Sequence, residues 1–450
     1  MLPRRRLALL SLLLVGGGCR NREAEKAARP NVLLITLDTT RADRLGCYGY
    51  ARPTSPNLDR LAAESMLHTR ALATSSWTLP SHASLFTGKL TLSHGAQYDP
   101  EGPLNLGAVI SGPSEWRQYR ARPLLEAERT LAEILRDAGY TTAAVVAGPW
   151  LKRPFGLAQG FDYYDDDQIE ASDGRRAGSV TAAALRFFER RKLDAPFFLF
   201  LNYYDPHGPY DAPEPFGHAF LDKAMVLSDG IPKGEELQAR YDAEILYMDD
   251  AIGQLLSRLR ETGLFESTLM VVTSDHGELL GEHGRLGHGE TLTEQELRIP
   301  LLVKRPGRES LRGKSPAPAQ LTDVLPTVLS ELGLPLPAGI QGGALPKPGH
   351  PVVAEVYPLP WMSRRGQWRA LYDGPLKFLW NSAGEHQLFD LAADPGESRN
   401  LASRELDRLR RMSALLERYM DSLPRPGQAG RPKELDDETR RALRSLGYLH

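Results

Sequence analysis

Between residues 30 and 345, short apolar runs alternate with longer stretches in which apolar residues recur every three or four positions. Val32-Leu33-Leu34-Ile35-Thr36-Leu37 is a continuous apolar run that stops at Asp38; without polar alternation it predicts a strand buried on both faces. Thr141–Ala147, Pro196–Leu201, Leu269–Thr273 and Ile299–Val303 read the same way. Leu131–Ala138 predicts a helix, and Glu235–Arg260 predicts the clearest one. There Leu237, Tyr241, Ile245, Met248, Ile252, Leu255 and Leu259 form one stripe, and Gly263 is the stop signal. The alternation predicts an α/β fold, a large, mostly parallel sheet with helices on both faces.

Beyond about residue 350 the pattern changes. Trp368–Tyr372, the turn pair Asp373-Gly374 and Leu376–Trp380 form a hairpin signal, and His386–Asp390 adds a strand. Leu406, Leu409, Met412, Leu416 and Tyr419 then share one helical stripe. The expected organisation is a catalytic α/β region over 30–345, a small C-terminal α+β region with an antiparallel sheet and helix over 346–425, and a tail over 426–450. Residues 97–122, rich in Gly and Pro and poor in periodicity, read as a long surface loop near the site.

The first nineteen residues stand apart. Arg4 to Arg6 form a basic stretch, Leu7 to Val15 an apolar one, and Gly16 to Gly18 a small-residue exit. The apolar stretch is too short for a spanning helix, so residues 1–19 read as an export signal and 20–29 as a tether. The signal resembles that of a bacterial lipoprotein, with Cys19 as the acylated residue, although Gly16 stands where Leu is usual. The expectation is export to the bacterial periplasm or cell envelope, with membrane attachment through a lipidated Cys19. A net charge of −2 argues against a nucleic-acid partner, and a mean hydropathy of −0.36 excludes a polytopic membrane protein. Two cysteines, Cys19 and Cys47, cannot build a disulfide framework.

Candidate chemistry collects where strands end. One run stops at Asp38, and another continues as Ser274-Asp275-His276-Gly277. Ligands of open α/β sheets bind beyond the carboxyl ends of strands. Either aspartate alone reads as a cap, but two carboxylates and an imidazole at one edge read as an O,O,N site for one divalent cation. A third segment, Thr78-Leu79-Pro80-Ser81-His82, carries Pro80 in a first-turn position, and Gly88 ends the helix it opens. That places Thr78 at a helix N-terminus, which favours anions. By itself the segment reads better as an N-cap.

The ordered set of motifs changes that balance. Pro30-Asn31-Val32 through Asp38, Pro53-Thr54-Ser55-Pro56-Asn57, Thr78 to Gly88, Gly160-Phe161-Asp162, Asp205-Pro206-His207, Tyr241 to Ile245, Asp275-His276-Gly277-Glu278 and Asp323 to Thr327 follow one another as in the sulfatase family of the alkaline phosphatase superfamily, which the chain resembles over nearly its whole length. The resemblance implies an alkaline-phosphatase-like fold and a metal held by Asp38, Asp275 and His276, completed by Thr78. Family analogy puts Ca²⁺ first, with Mn²⁺ and Mg²⁺ as rivals; His276, where many sulfatases have Asn, moves the preference toward Mn²⁺ or Zn²⁺. It also implies His82 in place of the family's anion-holding arginine, and His207 or His288 as general acid or anion contact.

The departures matter too. Sulfate-ester enzymes of the family convert a Cys or Ser to formylglycine; threonine, with its Cβ methyl, would give a ketone, so that route is closed to Thr78. Asp38-Thr39 lacks the second carboxylate of the family's pair, and Pro149-Trp150-Leu151 lacks the cations of its Lys-Trp-His segment. The expected function is a metal-dependent hydrolase of sulfate or, preferentially, phosphate esters of small molecules or glycans, with Thr78 as nucleophile. The alternatives are a phospho-headgroup transferase of the same superfamily and a non-catalytic sulfatase-like binding protein.

Overall fold

The computed structural model describes residues 29–169, 171–190, 195–222, 232–346, 349–357 and 366–426. Residues 1–28, with Cys19 and the stretch expected to be an export signal, and the tail beyond Pro426 lie outside the described residues.

Eight strands form the main sheet: β1 (Asn31–Leu37), β2 (Met66–His68), β3 (Thr141–Val145), β4 (Tyr163–Asp165), β5 (Phe197–Tyr203), β6 (Thr268–Thr273), β7 (Leu301–Lys304) and β8 (Gly313–Ser315). Their spatial order is β8-β2-β7-β6-β1-β5-β3-β4, and every pairing is parallel except those of β7. The sheet is therefore mixed and mostly parallel, as the apolar runs predict. β1 lies between β5 and β6, so the ends of three central strands converge at one edge.

Burial on both faces follows from the pleat. Val32, Leu34, Phe198, Phe200, Leu269 and Val271 enter one core, with helix α1 (Thr78–Thr87) on that side. Leu33, Ile35, Leu199, Leu201, Met270 and Val272 enter the other, where Tyr241, Ile245 and Met248 of helix α2 (Gly234–Glu261) meet them. The stripe predicted along Glu235–Arg260 is this contact.

Two sequence expectations need correction. Ile299–Val303 is not one strand like the others. Pro300 has no N–H to give to a ladder; Arg298–Ile299 pairs instead with Ala71–Leu72 in a separate small sheet, and Leu301–Lys304 runs antiparallel in the main one. Residues 97–122 are not a structureless loop. Gln97–Tyr98, Leu104–Asn105 and Arg120–Arg122 form a three-stranded sheet, and within the segment Tyr98, Leu106, Ile110 and Ala121 are buried. Strands of two or three residues are too short to show a period.

The C-terminal sheet has four antiparallel strands, β9 (Val352–Val356), β10 (Trp368–Asp373), β11 (Leu376–Asn381) and β12 (Gln387–Asp390). Its two faces serve different cores. Val352, Ala354, Val356, Ala370 and Leu379 pack into the main body. Val353, Leu371, Phe378 and Leu388 pack under helix α3 (Leu406–Ser422), against Met412, Leu416 and Met420.

Candidate metal and catalytic centre

Asp38 follows β1, and Asp275 and His276 follow β6, its parallel neighbour; pairing Thr36 with Thr273 brings the strand ends level. All three side chains are fully buried, and one ligand atom from each lies within 4.8 Å of the others. Asp38 Oδ1 and Asp275 Oδ2 have no hydrogen-bond partner. Burial, and then the neighbouring Asp275 charge, push Asp38 well above the usual carboxylate range; burial likewise raises Asp275. His276 Nδ1 donates to Gly277 O at 2.9 Å, which leaves Nε2 bare, 3.4 Å from Asp275 Oδ2. Two orphaned carboxylate oxygens and an unprotonated imidazole nitrogen, costly in an interior without a cation, fit a divalent metal.

Thr78 opens α1 directly opposite. Its Oγ1 lies 3.4 Å from His276 Nε2, and its side chain is almost wholly buried. The helix is enclosed on every side and ends at Gly88 in the left-handed conformation, φ 66°.

The structure gives His82 a different task from the one read in sequence. Its Nδ1 donates to Thr78 O, one turn earlier, at 2.9 Å, and its Nε2 accepts from Thr36 Oγ1 at 3.0 Å. Phe86 and Phe200 meet the ring at angles of 66° and 74°. Burial holds it down at about 4, so the ring is neutral and both nitrogens are committed. It therefore holds the first turn of α1 in place, with Nδ1 also 3.6 Å from Asp275 Oδ2. Thr36 Oγ1 accepts in turn from Asn202 Nδ2 at 3.2 Å, so a buried chain runs Asn202–Thr36–His82–Thr78.

His207 and His288 stand beside His276, with ring centroids 5.0 Å apart from each other and His288 4.5 Å from His276. Their settings differ. His207 stacks on Tyr204 at 4.3 Å and donates Nδ1–H to Gly208 O at 2.8 Å; burial lowers it to about 4, leaving a bare Nε2. His288 Nδ1 faces the buried Glu278 carboxylate at 3.0 Å. Burial works against its charge, but Glu278 outweighs it and holds His288 above the ordinary imidazole value.

Sequence reasoning missed three supports. Asn202, at the end of β5, lies 3.5 Å from Asp38 Oδ2 and accepts from the Ala147 and Gly148 amides at 3.2 and 3.0 Å. Being polar and at the end of an apolar run, it carries the same signal as Asp38. Arg41, 4% exposed, bonds Asp43, Glu282 Oε1 at 2.6 Å and Glu278 O at 3.1 Å, tying the segment after Asp38 to the segment after His276. Thr39 adopts φ 50° and donates its amide to Asp275 Oδ1 at 3.3 Å. In the Pro149-Trp150-Leu151 segment no cation takes the family position; Lys152, next in sequence, donates to the Asp166 and Ile169 carbonyls.

The family model described as Sulfatase matches residues 30–334. An ulvan-active sulfatase of Formosa agariphila is 28% identical over 426 residues, covering 84% of this chain and 78% of that protein. The multifunctional alkaline phosphatase superfamily protein PehA of Trinickia caryophylli is 27% identical, covering 83% and 91%. Among solved structures, the phosphonate monoester hydrolase of Agrobacterium radiobacter shares the fold with a TM-score of 0.71 at 22% identity, over 91% of this chain and 99% of that one. BT4656, solved in complex with its substrate D-glucosamine-2-N,6-O-disulfate, gives 0.69 at 20% identity, over 87% and 98%. The strand-end aspartates, the helix that faces them and the C-terminal sheet thus sit on an alkaline-phosphatase-like fold, and the chain belongs to the sulfatase family.

Proposed function

We propose that the protein is a single-metal hydrolase that uses Thr78 as covalent nucleophile and prefers phosphate esters to sulfate esters. The observation that carries this is the placement of Thr78 Oγ1 at a helix N-terminus, 3.4 Å from the bare Nε2 of His276 and facing two orphaned carboxylates. Asp38, Asp275 and His276 would hold the cation, which when bound would lower the pKa of the Thr78 hydroxyl and offset charge on the ester oxygens.

The chain's own residues do the rest. The N–H groups of Thr78 and Leu79, at the start of α1, receive the anion; Pro80 has none and that of Ser81 bonds Trp77 O. The Thr78 hydroxyl gives its proton to the bare Nε2 of His207 as the Oγ–phosphorus bond forms and the bond from phosphorus to the leaving oxygen breaks, and that oxygen takes a proton from His288 Nε2. In the second half, water attacks phosphorus and gives its proton back to His288 Nε2, while the Thr78 oxygen takes the proton held on His207 as its bond to phosphorus breaks. Opposite settings for two adjacent imidazoles suit this division of acid and base. Without an aldehyde hydrate, a threonyl sulfate has only attack at sulfur for its release, which disfavours sulfate esters. The similarity to PehA and to a phosphonate monoester hydrolase supports the phosphate preference; relatives named for ulvan and glucosamine sulfate support a glycan as the alcohol part.

The test is a panel of aryl sulfate, phosphate mono- and diester and phosphonate substrates, with acid-quench mass spectrometry of the Thr78 peptide. Thr78→Ala should lose turnover with folding intact, and Thr78→Ser should keep a measurable part. Aryl sulfate turnover far above that of every phosphate ester would overturn the reading. The sequence of residues 1–19 supports a second proposal, export with acylation at Cys19; an intact Met1 on native protein would contradict it.

A further inference from the structure

A cavity of about 470 Å³ lies between the main body and the turn joining β10 to β11, and neither the metal ligands nor the histidines line it. That volume is in the range small ligands occupy. One wall is apolar, made by Leu72, Pro375, Leu391 and Pro395. Another carries Arg70 and Arg298, whose Nη2 atoms donate only to backbone, to Gly374 O at 3.0 Å and Thr69 O at 3.5 Å. Among the described residues neither guanidinium has a carboxylate at ion-pair distance. The one acid in the wall, Glu294, is already committed to Tyr372 Oη at 2.6 Å and Lys377 Nζ at 3.0 Å, and Lys377 also meets Glu397 at 2.7 Å. Of the charged residues that line the cavity, Arg70 and Arg298 against Glu294 leave one positive charge in excess.

We propose that this cavity is a second, non-catalytic binding site for an anionic sugar residue, a pyranose bearing a sulfate, phosphate or carboxylate group. Guanidinium groups with free N–H edges match a planar or tetrahedral oxyanion. The apolar wall matches the C–H face of a ring, so the occupant is amphipathic and not a bare ion. One short helix links the site to the proposed centre: Glu294, in the cavity wall, opens the helix Glu294–Leu297, and Gly277, next to His276, donates to Glu296 O at 2.7 Å. An anionic glycan engaged at both places would bind with the gain of a tethered ligand. This role in substrate capture rests on the proposed function; binding to the cavity does not.

The experiment is isothermal titration of the full-length protein with glucosamine 6-sulfate, glucuronic acid and unsubstituted glucosamine. It compares wild type, an Arg70→Ala/Arg298→Ala variant and a Leu391→Trp variant that fills the cavity while keeping both arginines. Each anionic sugar should show one fewer site in both variants, and glucosamine should bind none of the three proteins there. An unchanged number of sites, or glucosamine binding as tightly as its sulfate, would overturn the proposal. Turnover of 4-nitrophenyl phosphate is followed in parallel and should be equal in all three. Its absence from wild type would count against the catalytic reading alone, since the titration reads the cavity without turnover.

Discussion

Replacing Thr36 by Val tests whether the buried chain from Asn202 to Thr78 positions the proposed nucleophile. The two side chains have nearly the same shape, but valine cannot donate to His82 Nε2 or accept from Asn202 Nδ2. Asn202 keeps Asp38 Oδ2 at 3.5 Å and still receives the Ala147 and Gly148 amides, so it is only partly orphaned. His82 Nε2 has no other partner and is fully enclosed by Phe86 and Phe200. An unsatisfied buried acceptor costs about 1–3 kcal/mol, so the variant should lose about 2 kcal/mol in urea unfolding. With its far side released, the His82 ring no longer fixes Thr78 O, and a small displacement of a reacting group lowers turnover steeply. We expect kcat to fall about 10–100-fold with KM little changed, since substrate contacts are left in place. Thr36→Ser restores the hydroxyl and should recover most of the turnover. Unfolding and kinetics within error of wild type in Thr36→Val would refute the positioning role, and failure of Thr36→Ser to recover turnover would do the same.

Chelator-treated wild type should gain about 2.7 kcal/mol at a cation concentration a hundred times Kd, read as a rise in melting temperature, and Asp38→Asn or Asp275→Asn should abolish the response; a response retained by both variants would contradict the ligand set. Lys377 is buried with Glu294 at 3.0 Å and Glu397 at 2.7 Å, the latter contact off the ideal hydrogen-bond angle. Lys377→Met should cost about 3–5 kcal/mol, and Lys377→Met/Glu397→Gln noticeably less, because it is the stranded charge that destabilises. His350 Nε2 lies 2.5 Å from buried Asp323, which holds it above the ordinary 6.5 although burial opposes the charge. A raised pKa in the folded state means this contribution is complete below pH 6.5 and fades as pH rises through the folded value. The melting-temperature gap between wild type and His350→Gln should therefore narrow from pH 5.5 to 8.5; a widening gap would reverse the assignment.

The central strands were legible because burial on both faces leaves the runs almost wholly apolar, Thr36 being the exception in β1, and the candidate metal ligands because each interrupts such a run at its end. Asn202 satisfies the same rule and was available to it. Ile299–Val303 looked like one strand only because apolar content hides a missing N–H, which Pro300 announces. His82 was beyond sequence reading for a different reason. Its neighbours are Thr78, one turn away, Thr36, 46 positions away on β1, and Asp275, with Oδ2 3.6 Å from Nδ1; burial among such sequence-distant residues is what keeps the ring neutral and inward. Position in a motif suggested an anion contact, and packing assigned a support. The unlike settings of His207 and His288 depend likewise on Gly208 O and Glu278.

The C-terminal sheet, with one face in each of two cores, acts as a party wall. Composition shifts near residue 345, yet a chain cut there would bare the patch that Val352, Ala354 and Val356 cover and strip α3 of its support. Shortened versions should be recovered as aggregates, and grafting this segment from a relative should succeed only when both faces are matched at once. Evolution meets the same restriction: alternate positions along β9 and β10 answer to different neighbours, so substitutions there are tolerated singly on one face or the other, while a one-residue slip in the strand violates both together.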